Sequence, residues 1–168
     1  MPDATPNFYS RYTSLVPDAD LVAELDGQRT TFLTAMGGVR EEESGRPHPP
    51  YTWTIRQVVG HLLDAERIFG YRAMRIARGD ETPLPGFDEN AYAVAGEFDG
   101  RAMTDLLAEF DAVRRSHVLL FRHLPAAAWE RTGVVNGTRL SVLDLARVLV
   151  GHVRHHAAIV EKRLAGRS

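Results

Sequence analysis

The chain has 168 residues, enough for one domain, spanning 1–168, with a substantial core. Its apolar fraction of 44% and charged fraction of 25% are ordinary for a globular protein, and a net charge of −2 leaves no electrostatic footprint for nucleic acid. The absence of cysteine excludes disulfides, thiolate metal sites and a cysteine nucleophile. Met1 to Ser14 lacks the basic-then-apolar order of a secretory signal. No apolar run reaches the ~18 residues of a membrane span. A soluble, cytoplasmic protein is the expectation. Lys162 is the single lysine among 20 basic residues, and runs such as Arg72, Arg75 and Arg78 read as solvated helix faces.

Met1 to Val16 reads as an irregular lead-in. A first helix is predicted from about Asp18 to Val39, with Leu21, Leu25, Phe32, Leu33 and Met36 at near-helical spacing. The charged, proline-rich stretch Glu41 to Pro50 reads as a loop. Thr54 then caps a second helix, with Gln57 completing a capping box and Trp53 and Val58 placed as a hydrophobic staple. That helix runs to about Arg78 on the stripe Ile55, Val58, Leu62, Ala65, Phe69, Ala73 and Ile76. The connection that follows can hold a short helix around Glu89 to Ala95. A third long helix covers about Arg101 to His123. Asn136-Gly137 suits a tight hairpin turn. The last helix starts at Ser141, with Asp144 as its N3 carboxylate, and runs to about Leu164. Four long amphipathic helices with long crossovers indicate an all-α four-helix bundle; helix order and handedness do not follow from this pattern.

Of seven histidines, His48 falls in the proline-rich loop, while His117 and His123 lie on or at the end of the third helix. His48 reads as a surface residue and His123 as a partner for the negative end of the helix dipole, and none of the three is assigned a ligand or catalytic role. His152 and His156 are different: they are i and i+4 on one helix face. Leu145, Leu149, Val153 and Val160 define the apolar stripe of that helix, and both histidines fall on it. His155 points toward the polar flank. Two imidazoles on a buried face need partners, because unpaired buried polar groups are costly. Metal chelation supplies such a partner, although spacing alone does not separate a chelating pair from two hydrogen-bonded core histidines. Position 153 is valine, so the H-E-x-x-H motif of zinc proteases is absent. His61, at the edge of the stripe on the second helix, supplies a third ligand. Gly60 and Gly151 each immediately precede a histidine and suit close helix approach.

The stretch from Trp53-Thr54-Ile55-Arg56-Gln57-Val58-Val59-Gly60-His61 to Asp64-Ala65-Glu66, then Arg78-Gly79-Asp80-Glu81-Thr82-Pro83, resembles the DinB-like superfamily, a damage-inducible family of metal-binding bundles. Leu140-Ser141-Val142 through Gly151-His152-Val153-Arg154-His155-His156 resembles its C-terminal histidine motif. The resemblance implies an up-down-down-up bundle, often a homodimer, and a stress-related role. It implies a divalent metal ion, nickel, zinc or similar, on His61, His152 and His156; His155 has no counterpart among the ligands. Similar proteins include bacillithiol- and mycothiol-dependent S-transferases, a mycothiol-dependent isomerase and metal-dependent hydrolases.

Three imidazoles leave a coordination position open, which is the catalytic pattern. The ion could activate a low-molecular-weight thiol such as bacillithiol or mycothiol, or water for hydrolysis. Family analogy favours thiol S-transfer to a small-molecule substrate, with hydrolysis or a non-catalytic binding role as alternatives. No residue is assigned as catalytic. Asp64, Glu66 and Arg72 are candidates to support the metal or touch substrate, with surface ion pairing the simpler role for Asp64.

Overall fold

The long helices begin where side chains can satisfy their first free N–H groups. In the computed structural model, which describes residues 9–165, Asp20 accepts from the Val22 and Ala23 amides at the start of α2 (Leu21–Gly37). At α4 (Ile55–Ala77) the Thr54 hydroxyl accepts from the Gln57 amide, while the Gln57 side chain accepts from the Thr54 amide. This reciprocal cap is the one read from the sequence. Ser141 and Asp144 do the same for α8 (Val142–Ala165). The remaining long helix, α6, is Met103–Arg122.

Shorter elements fill the connections. The lead-in is not wholly irregular: Met1 to Asn7 and Phe8 lie outside the described residues, but α1 (Ser10–Thr13) is a helical turn. Tyr9, Tyr12 and Val16, spaced i, i+3 and i+7, are buried, and burying those side chains fixes the segment. The stretch expected to be a loop contains α3 (Glu41–Ser44), whose three leading glutamates complement the helix dipole. Then come α5 (Glu89–Ala95), a 3-10 turn at Phe98–Gly100 and α7 (Ala126–Trp129). The hairpin of β1 (Thr132–Val135) and β2 (Thr138–Ser141) turns at Asn136-Gly137, both with positive φ, as a two-residue type I′ loop requires.

Residue contacts give the helix directions. Phe32 of α2 meets Phe110 of α6, and Gln28 meets Arg114, so these two run antiparallel. His61 of α4 meets His152 of α8, while Arg163 reaches back to Trp53, so they too are antiparallel. Going along α4 and α6 together, Arg67 pairs with Glu109 and Glu66 with His117; Phe98, just before α6, packs on Gly60. These two helices therefore run parallel. Leu21 and Leu25 share a core cluster with Leu145 to Val150, and Phe32 and Met36 share one with Val153 and Val160, so α2 and α8 are also parallel. The bundle is up-down-down-up. A parallel neighbour cannot be reached by a tight turn, which accounts for the long 78–102 crossover.

Two apolar clusters form the core, one around Leu25, Phe69, Leu145 and Leu149, the other around Phe32, Leu62, Leu106 and Phe110. A buried polar network lies between the helices. Arg114 of α6 is fully buried and grips Glu66 of α4 through both carboxylate oxygens, Nε at 2.9 Å and Nη2 at 2.6 Å. It also donates to the Gln28 side chain of α2 (2.8 Å) and the Leu149 carbonyl of α8 (3.3 Å). Gln28 in turn donates to the Val150 carbonyl (2.8 Å). Among the described residues, no helix is long and apolar enough to cross a membrane.

Removing one partner of such a pair strands a buried charge. Arg114→Ala should therefore cost about 3–5 kcal/mol of unfolding free energy in urea melts. The double variant Arg114→Met/Glu66→Gln should lose less than Arg114→Ala; an equal or larger loss would show that the charges are not coupled.

Candidate metal centre

His61 sits two turns into α4, and His152 and His156 lie one turn apart on α8. Because α4 and α8 pack antiparallel, the three rings meet. His61 and His152 are buried and His156 is half-buried. The Nε2 atoms of His61 and His152 are 3.0 Å apart. One ligand nitrogen from each of the three lies within 4.8 Å of the others. Ring centroids are separated by 4.9 Å for His61 with either partner and by 4.7 Å for His152 with His156. The juxtaposition expected from the sequence is present for all three.

Close backbone approach makes this possible. A Cβ on Gly151 would lie 2.0 Å from the Tyr12 carbonyl oxygen, and one on Gly60 would lie 2.2 Å from the Phe98 ring. Each glycine lets a neighbouring segment press on a helix beside a histidine. Tyr12 then stands edge-on to His152 at 4.9 Å, and Trp53 covers His61 at 5.1 Å. Phe69 closes a further side, 6.0 Å from His152.

These walls keep the imidazoles neutral. Burial lowers the His61 pKa to about 4. It pushes His156 and His152 well below the ordinary value, with further lowering from the neighbouring histidines. Neutral imidazole is the form that ligates metals. Between His61 and His152 two facing nitrogens share one short gap, where at most one proton fits; a cation satisfies both lone pairs. The donor set fits a borderline ion such as zinc or nickel.

The other candidates sort differently. His155 is half-buried and packs on Tyr12 and His156, outside the ligand cluster. Glu66 is not at the centre: its carboxylate is consumed by Arg114 and by His117, whose Nδ1 lies 3.0 Å away. Those contacts hold it charged despite complete burial. Asp64 is half-buried, with its pKa raised by burial. Arg72 is buried, lies over Phe69 and Phe87, and donates to the Pro85 carbonyl. His117, given no role in the sequence reading, is buried against Glu66. It shares a face with Phe110, Arg114 and Phe121, a spacing present in the sequence.

Arg163 is a residue that sequence reasoning missed. It lies two turns beyond His156 on the same helix face, and that spacing was the available signal. With Tyr51, Trp53, Val58, His156 and Ile159 it lines a pocket of about 300 Å³, which gives the histidine cluster its open side. A larger pocket of about 430 Å³ lies between α2 and α8 and has none of the three histidines on its wall.

Neutral burial of the cluster has a cost at low pH. The unfolded chain takes up a proton on His61 near 6.5, whereas the folded metal-free protein resists until about 4. Stability is therefore full above pH ~6.5 and falls as pH drops toward ~4, by about 3 kcal/mol from His61 alone. Urea melts of metal-free protein at pH ~7 and ~4.5 should show this loss, and His61→Gln should reduce it, leaving the share of His152 and His156. Equal slopes for both proteins would place His61 in a solvated environment.

Comparison with known proteins agrees with this architecture. The model of the DinB superfamily matches residues 24–160. A Bacillus licheniformis protein provisionally named a metal-dependent hydrolase is 32% identical over 133 residues, covering 76% of this chain and 74% of the relative. An Oceanobacillus iheyensis protein with the same provisional name is 25% identical, with 84% of each chain covered. Among solved structures, Bacillus subtilis YfiT, titled a probable metal-dependent hydrolase with an unusual four-helix bundle topology, superposes with a TM-score of 0.78 at 19% identity, covering 88% of this chain and 90% of that one. A mycothiol-dependent maleylpyruvate isomerase superposes at 0.72 and 14% identity, covering 87% of this chain and 61% of that one. At these identities the two structures speak to the fold. The chain belongs to the DinB superfamily.

Proposed function

We propose that this protein is a metal-dependent hydrolase whose divalent ion, zinc or nickel, is held by His61, His152 and His156. The observation that carries the reading is the convergence of three buried or half-buried imidazole nitrogens within 4.8 Å, beside a pocket that reaches His156. The hydrolase names of the sequence relatives support it. A bound ion would supply Lewis acidity, lowering the pKa of water to about 7 in favourable sites and polarising a substrate carbonyl.

The chain's own residues do the rest. Trp53, Tyr12 and Phe69 wall the imidazoles and exclude bulk water from all but the His156 side. That exclusion keeps the ligands neutral and strengthens electrostatic interactions inside the pocket. The structure assigns no carboxylate to proton transfer: among the described residues, no Asp or Glu joins the three-histidine cluster. The thiol S-transfer favoured by the first family analogy now stands second. Its relative here, the mycothiol-dependent isomerase, shares the fold at an identity too low to carry chemistry.

Tag-free protein should contain about one divalent ion per chain by elemental mass spectrometry. His61→Ala, His152→Ala and His156→Ala should each lose it while remaining folded. Metal-loaded wild type should hydrolyse at least one member of an ester, amide and lactone panel, with activity lower by ~100-fold or more in each variant. Conjugation of an electrophile with bacillithiol or mycothiol, without hydrolysis of the panel, would replace this reading with thiol transfer. No metal after reloading with zinc and nickel would overturn both.

A further inference from the structure

The pocket beside His156 has walls of two kinds. Tyr51, Trp53, Val58 and Ile159 are aromatic or aliphatic, whereas Arg163 brings a permanent positive charge. Arg163 is 9% exposed. Its Nη1 donates to the Trp53 carbonyl at 2.9 Å, and its guanidinium lies 4.2 Å from the centre of the Tyr51 ring. Its Nε is buried with no hydrogen-bond partner. Among the described residues, no carboxylate lies within ion-pair distance of it, although most other buried or half-buried arginines have one; Arg114, Arg29, Arg75 and Arg154 are examples.

A desolvated guanidinium without an anion is costly. Burial accordingly lowers its pKa, an effect that the adjacent Tyr51 opposes. Arg163 shares the pocket wall with His156. A divalent ion on the three histidines would add to the same sign.

We infer that Arg163 forms an anion subsite next to the histidine cluster, selecting substrates that carry a single carboxylate on an apolar body. This deepens the hydrolase reading and rests on it for the reaction, though not for the binding. The guanidinium fork matches a carboxylate in shape and hydrogen bonding. One uncompensated charge suits a monoanion; a phosphate dianion would leave negative charge buried among Tyr51, Trp53, Val58 and Ile159. The carboxylate would sit on Arg163, the apolar body against Tyr51 and Trp53, and the reacting group would extend toward His156. Arg163 is thus a positioning and specificity residue.

The test uses full-length protein, zinc-loaded and after chelation, titrated with phenylacetate and its neutral isostere phenylacetamide. Binding is followed by NMR at the Trp53 indole N–H, with zinc content measured on each sample. Wild type should prefer phenylacetate in both zinc-loaded and chelated states. Arg163→Gln should weaken phenylacetate by about ten-fold or more and leave phenylacetamide unchanged. Arg163→Lys, which keeps the charge, should recover part of the preference. The inference falls if wild type shows no preference, if Arg163→Gln binds phenylacetate as tightly as wild type, or if it loses both ligands equally, which would reduce Arg163 to a prop for Trp53. An Arg163-dependent preference in a protein that takes up no zinc would keep the subsite and remove the hydrolase. Zinc uptake with a preference indifferent to Arg163 would do the reverse.

Discussion

A guanidinium buried in the middle of four helices must be met from several sides, and the bundle is arranged around meeting that of Arg114. Glu66 supplies two carboxylate oxygens, Gln28 an amide oxygen and Leu149 a backbone carbonyl. These partners come from α4, α2 and α8, so a single side chain on α6 ties all the long helices. Against well-packed apolar replacements such a network adds little net stability. Its effect is on register: a helix sliding by one turn would leave a charge or a carbonyl unsatisfied in the interior. The level of the bundle at which this happens is close to the site, since Glu66 follows His61 on α4 and Leu149 precedes His152 on α8. The polar network therefore sets how the two histidine-bearing helices face one another.

The site combines two kinds of burial. Around His61, His152 and His156, aromatic walls remove water and keep the rings neutral, which leaves their lone pairs available. Around Arg163 burial acts on a group that stays charged, so the desolvation is compensated only in part by the Tyr51 ring and the Trp53 carbonyl. Trp53 links the two, its ring packing at a tilt against His61 and its backbone carbonyl accepting from Arg163. A neutral donor set that reaches the pocket through His156 lies beside a cation with no carboxylate partner among the described residues, and both call for ligands from outside the chain.

Membership of the DinB superfamily says more about the frame than about the reaction. Two sequence relatives, at 32% and 25% identity, carry provisional hydrolase names, and solved bundles of similar fold include one described as a probable metal-dependent hydrolase and one as a mycothiol-dependent isomerase. In this chain one end of α4 and α8 opens to a pocket. Tyr51, Val58, Ile159 and Arg163 line it, and the proposed selection of substrate rests on them.

Much of this was legible in the sequence because it depends on local periodicity. The Thr54–Gln57 and Ser141–Asp144 caps, the Asn136-Gly137 turn and the helical spacing of His152 and His156 are fixed by backbone geometry within a few residues, and the structure has each of them. The three histidines were identifiable because two share a helix face and the third lies in a motif of the same family. The up-down-down-up order was implied by that resemblance and not by the helical pattern, since periodicity marks an apolar face without saying which helix covers it. Only the tertiary structure showed that Glu66 belongs to Arg114 and His117, that residues around Tyr12 close the site as a helical turn, and that Arg163 faces a pocket without an anion. Those facts depend on contacts between residues far apart in the chain, where the partner of a buried charge is chosen by packing and desolvation and not by spacing.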